Sequence, residues 1–184
     1  PISVHDVGQA HFDETTMDVL DLDNVDLDHV ERGTVQPQAG RAAYECLTRE
    51  IHLALSGEID DIVTAPLNKE ALNAAGYHYA GHTEILASQC GISDVTMMLV
   101  SGSLRVSHVS THVALREACD RVKKERILKV IALTDEALRR MDIDAPNIAV
   151  AGLNPHASDG GLFGREEMEE IRPAVEEGRK RGFK

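Results

Sequence analysis

One alternation most constrains what this chain can fold into. Tyr44, Leu47, Ile51 and Ala54 or Leu55 recur at helical spacing from Gly40 onward, and Gly57 stands where such a helix would end. Ile59, Ile62 and Val63 then form a short apolar run that stops at Thr64-Ala65-Pro66, since proline cannot continue a strand ladder. The same helix–turn–strand logic repeats. A helix is expected from about Lys69 to Ala75, closing at Gly76, and an irregular stretch follows from Tyr77 to Glu84. Another helix is expected after Thr83, with Thr83 as a possible cap. Val95 to Val100 and Leu104 to Val109 flank Ser101-Gly102-Ser103 as a hairpin, which makes the sheet mixed. A long helix should run from about Arg116 to Met141, broken near Arg121, with Ile127, Val130 or Ile131, Leu138 and Met141 on one face. Asn147 to Gly152 reads as a buried strand, and Arg165 to Arg181 as a helix. Alternation of this kind indicates an α/β domain of three layers.

Composition fixes the rest of the frame. Aromatic residues are only 3%, with no Trp, so the core must be aliphatic. The 184 residues carry 19 Lys and Arg against 31 Asp and Glu, a net charge of −12. That sign disfavours nucleic acid but leaves small anions open, because a local cluster can oppose the global field. No apolar run is long enough to cross a bilayer. Cys46, Cys90 and Cys119 are odd in number and lack a CxxC pair, as expected of a reduced, cytoplasmic protein with buried or inert thiols. Residues 1–32 hold nine acidic residues and one basic one; the acidic stretch around Leu20 to Leu27 reads as a solvated loop rather than an edge strand. The first residue is Pro1 and the last, Lys184, follows a helical pattern, so the chain reads as an internal fragment.

Candidate chemistry sits at the ends of elements. Gly81-His82-Thr83-Glu84 opens a helix, whose free N–H groups favour an anion such as phosphate; a simple cap beside an exposed histidine explains the same residues equally well. His112 follows the second hairpin strand, and His156 follows the strand that ends at Gly152. Ligands of α/β sheets gather beyond the carboxyl ends of strands, so these two imidazoles are candidates for one divalent ion, although two ligands alone favour a structural role. Lys69 reads as a surface lysine at a helix start, the alternative being that it neutralises a substrate phosphate. The run Arg121, Lys123, Lys124, Arg126 and Lys129 reads as the wet face of a helix. The loop Asp159 to Glu167 is glycine-rich but lacks the order of a dinucleotide fingerprint.

Taken together the motifs are more specific. Val63-Thr64-Ala65-Pro66-Leu67-Asn68-Lys69, Ala75-Gly76, Gly81-His82-Thr83-Glu84, Met97-Met98-Leu99, Thr111-His112-Val113-Ala114-Leu115-Arg116 and Gly152-Leu153-Asn154-Pro155-His156-Ala157 follow in one order. From about Gly40 to the end, this resembles the 4-hydroxythreonine-4-phosphate dehydrogenase family of vitamin B6 biosynthesis. The resemblance implies an isocitrate/isopropylmalate-dehydrogenase-like three-layer α/β fold with a mixed sheet, incomplete at both ends. Residues 1–38 would form an acidic segment and 39–184 the α/β core of a partial catalytic domain. It further implies a homodimer using NAD and a divalent metal (Zn, Mg or Co) to oxidise and decarboxylate 4-phosphooxy-L-threonine. By resemblance His82 and Thr83 bind the phosphorylated substrate, and His112 and His156 are metal ligands. The family's third histidine, in a Tyr-His-Asp-Gln-Gly motif donated by the other subunit, is absent, and no residue here is assigned to NAD. Close relatives act instead on 4-phospho-D-threonate or 4-phospho-D-erythronate. Two rival classes remain: a metal-dependent hydrolase with Glu84 as base, and a binding module without catalysis.

Overall fold

The computed structural model describes residues 1–184, a mixed α/β fold of small sheets and several helices. The chain divides into two compact units, Pro1–Ser93 and Asp94–Lys184.

In the first unit, β1 (Ile2–Val4) pairs in parallel with β2 (Asp18–Leu20). The acidic stretch beyond Leu20 is a loop with one 3-10 turn at Leu27–His29, as its charge suggested. Helix α1 (Pro37–Ser56) starts three residues before Gly40, with proline in its first turn, and closes on Gly57 at φ 77°. Helix α2 (Lys69–Ala74) is capped by the Asn68 side chain, which accepts from the Ala71 N–H at 2.9 Å. Helix α3 (His82–Gln89) follows. Leu47, Ile51, Leu72 and Ile85 are buried together, so α1, α2 and α3 share one aliphatic core. Three tyrosines rim it, with Tyr44 stacked on Tyr77 at 3.8 Å between ring centroids. At Gly40 the backbone of α1 rests directly on that of α2. A Cβ there would fall inside the Ala71 carbonyl and 2.6 Å from the Leu72 nitrogen.

The second unit holds the expected hairpin, β3 (Met98–Ser101) antiparallel to β4 (Leu104–Ser107), turning on Gly102 at φ 56°. Helix α4 (Leu115–Asp120) and helix α5 (Lys124–Arg140) are separate, the break falling near Arg121 as the sequence indicates. A π-type turn at Glu167–Ile171 leads into α6 (Arg172–Lys180). Val122, Ile127, Leu128, Ile131, Ile171 and Ala174 form this core. Burying the five larger aliphatic side chains contributes roughly 1.5–3 kcal/mol each before entropy is counted.

Several expectations are corrected. Neither Ile59–Val63 nor Asn147–Gly152 is a strand, because neither finds a ladder partner, and Val63 is 92% exposed. The two β-pairs are separate two-stranded sheets rather than one mixed sheet. Met141 caps α5 and is exposed instead of lining its buried face. Arg126 leaves the wet face: its guanidinium donates to the carbonyls of Val109 (3.0 Å) and Val95 (2.8 Å). Cys46 and Cys90 are exposed free thiols, not buried ones. No helix is long and apolar enough to cross a membrane.

Candidate functional site

In the first unit, candidate chemistry gathers where α3 begins. Gly81, not Thr83, is the N-cap; it is buried and extended, and it carries no capping side chain. Thr83 instead stands in the first turn, half-buried, and its hydroxyl makes no hydrogen bond within the chain. The first three helical N–H groups therefore keep their donors free, the arrangement that attracts an anion. Lys69, the first residue of α2, leans toward this point: its Cε lies 3.9 Å from where a Gly81 Cβ would sit. Glu84 lies nearby, and its Oε2 is buried without a partner. Burial raises the Glu50 carboxyl above its ordinary range, and the charge of neighbouring His82 opposes part of that rise. Lys69 and His82 thus stand near the carboxyls of Glu84 and Glu50 around one helix start.

The second unit holds both candidate metal ligands on loops. His112 lies five residues beyond β4, exposed, at φ 55°. His156 is also exposed, and the three residues after it, Ala157, Ser158 and Asp159, all have positive φ. Non-glycine residues in that region cost on the order of 1–3 kcal/mol each, and such strain collects at functional loops. Local contacts fix the His156 ring. Its backbone N–H donates to Asn154 Oδ1 at 2.9 Å, and its ring tilts on Phe163 with centroids 4.7 Å apart. Asp159 Oδ2 stands 3.7 Å from Nδ1, which leaves Nε2 facing outward. Two imidazoles are the right donor chemistry for zinc or cobalt. No three His, Cys, Asp or Glu side chains converge anywhere in the chain, so a metal held here would draw further ligands from elsewhere.

Against this geometry stand the comparisons with known proteins. The family model described as pyridoxal phosphate biosynthetic protein PdxA matches residues 1–184. The chain belongs to the PdxA family. It is 44% identical over 181 residues to the D-threonate 4-phosphate dehydrogenase of Salmonella typhimurium, covering 98% of this chain and 55% of that protein. Among solved structures it resembles a 4-hydroxythreonine-4-phosphate dehydrogenase of Klebsiella pneumoniae, at TM-score 0.90 and 43% identity, covering 99% of this chain and 56% of that one. A Burkholderia phymatum 4-hydroxythreonine-4-phosphate dehydrogenase matches at TM-score 0.80 and 42% identity, over 99% of this chain and 55% of that one. The chain spans about half the length of the curated relatives it matches.

Within this PdxA chain, one residue escaped the sequence reading. Glu167 is a buried carboxylate whose Oε1 accepts the Leu153 N–H at 2.8 Å, while its Oε2 has no partner. It anchors the start of the Leu153–His156 turn from the far side of the glycine-rich loop. The signal was a glutamate at an inward position between Phe163 and Ile171, masked by the acidic neighbours Glu166, Glu169 and Glu170.

Proposed function

We propose that this chain is part of the catalytic domain of a dehydrogenase that oxidises a four-carbon, 4-phosphorylated hydroxy acid. The observation that carries the reading is the start of α3, where Gly81 leaves the helix donors uncapped and His82, Thr83 and Lys69 stand around them. The α3 N–H groups, the Thr83 hydroxyl and the Lys69 ammonium would bind the phosphate and fix the substrate's orientation. His112 and His156 would hold a divalent metal through their imidazole nitrogens, with a third ligand from outside these residues. When bound, that metal supplies Lewis-acid polarisation of the substrate hydroxyl. NAD belongs to the proposal as the acceptor of a dehydrogenase, but no residue here fits it and none is assigned. The proposed frame is the isocitrate/isopropylmalate-dehydrogenase-like fold, with a homodimer as the working assembly.

Two substrates compete. The names of the solved relatives favour 4-phosphooxy-L-threonine, the vitamin B6 precursor that is oxidised and decarboxylated. The curated relatives' names favour D-threonate 4-phosphate, which lacks the amino group. The two are separated by following NADH absorbance in a full-length enzyme carrying these 184 residues, with each substrate in turn and with Zn²⁺ or Mg²⁺ added. Turnover of either supports the dehydrogenase reading and names the substrate. Phosphate release without NADH would favour a hydrolase and overturn it. The 184-residue chain assayed alone is expected to be inactive.

A further inference from the structure

The second unit holds a cleft between β4 and the extended segment Asn147–Ala151. Asn147 to Ala151 alternate between exposed and half-buried, the period of an extended chain, with Ile148 and Val150 packed on the core. In an extended chain the N–H and C=O of successive residues point to opposite edges. The Ile148 N–H donates to the Lys184 carbonyl at 2.8 Å, so Ala149 and Ala151 present their backbone groups to the other edge. Those groups have no partner in the chain. Across a cleft of about 260 Å³ stands β4. Leu104 and Val106 pair with Ser101 and Leu99, and His108 donates to Met97, which uses one edge of that strand. Arg105 and Ser107 alternate with these residues and therefore face the cleft. Its floor is the apolar face of α5, including Ile131 and Thr134, with Thr134 Oγ1 donating to Ser107 Oγ at 2.8 Å. Arg105 Nε is buried there without an acceptor.

Two free backbone edges over one apolar floor, with an orphaned donor in the wall, describe the seat of a β-strand. Neighbouring strands lie ~4.8 Å apart, so an inserted segment would pair with both walls at once. The occupant must be extended, apolar on its inward side, and must offer an acceptor to Arg105. The relatives carry nearly as much chain outside the matched stretch as within it. We propose that the cleft between β4 and Asn147–Ala151 is filled by one extended strand from the part of the family polypeptide outside this stretch, making the two edges into one continuous sheet.

The test uses the 184-residue chain and overlapping peptides, each about ten residues long. These tile the Salmonella typhimurium relative outside its matched region. Binding is read by fluorescence anisotropy and by amide hydrogen exchange. One contiguous group of peptides should bind and slow exchange at Arg105, Ser107, Ala149 and Ala151 by about tenfold or more. Ala149→Pro removes an N–H that bonds to nothing in the chain, so it should leave the circular dichroism unchanged while weakening that peptide by about tenfold. Absence of any binding peptide overturns the proposal, as does protection confined to other amides. Protection that grows with protein concentration alone would place a second copy in the cleft and overturn it equally.

Discussion

The two candidate sites, one in each unit, are built on opposite principles. At the start of α3 the useful groups are backbone donors, delivered by ordinary helical geometry and left free because Gly81 has no side chain to cap them. At His112 and His156 the useful groups are side chains on loops, held by left-handed backbone and by contacts with Asn154, Asp159 and Phe163. The groups of the first arrangement all come from one unit. The second offers two donors and needs more. On the proposed reading, anion binding would be local to the first unit, whereas a metal at the two histidines would need ligands from outside these residues.

The contrast is broken most directly at the histidines. In a full-length enzyme carrying these residues, replacing both His112 and His156 by Ala should lower zinc affinity by ~100-fold or more, measured by calorimetry, with phosphate binding intact. Retained zinc affinity would remove the metal half of the comparison. Glu167→Ala comes next. It leaves the Leu153 N–H buried without its acceptor, at a cost of about 1–3 kcal/mol in urea unfolding. Zinc affinity should fall with it, since the turn carrying His156 loses its anchor.

Thr83→Ala should raise KM for the phosphorylated substrate roughly tenfold, about 1.4 kcal/mol, and leave zinc binding alone. Lys69→Met should raise KM by a few-fold, an effect that shrinks as salt is added. If Thr83→Ala lowers stability while KM stays fixed, the helix start is structural only. The smallest effect concerns Glu50. Burial raises its carboxyl, with the His82 charge opposing, so the folded protein holds this proton more tightly than the unfolded chain. Its favourable contribution is complete below the ordinary glutamate value of about 4.3 and is lost as pH rises through the raised folded value. Glu50→Gln should therefore raise Tm at neutral pH, on the order of a degree or two, and the gain should vanish toward pH 4.

Helices were legible because their periodicity is local: α1 with its Gly57 terminus, α2, and the break between α4 and α5 all follow from spacing and capping. The hairpin was legible for the same reason, its turn lying between its own strands. Ile59–Val63 and Asn147–Gly152 were misread because a strand is a relation between two segments, and an apolar run does not disclose whether its partner is present. At the site, the place of His82 and Thr83 at the start of α3 was readable from turn residues, whereas the strand expected before His156 is an unpaired extended segment. That Gly81 rather than Thr83 caps α3 was not readable, because the choice depends on one backbone angle pair. Glu167 was hidden for another reason: its burial is set by the loop that folds over it.

Gly40 has a consequence for how this chain can vary. Where α1 meets α2, main chain rests on main chain, so position 40 admits an alphabet of one letter. A neighbour separated by side chains can be retuned in small steps, methyl by methyl. This pair cannot. The lysine that opens α2 is thus aimed by a residue twenty-nine positions earlier that contributes no atoms beyond the backbone, and its direction is inherited rather than adjustable.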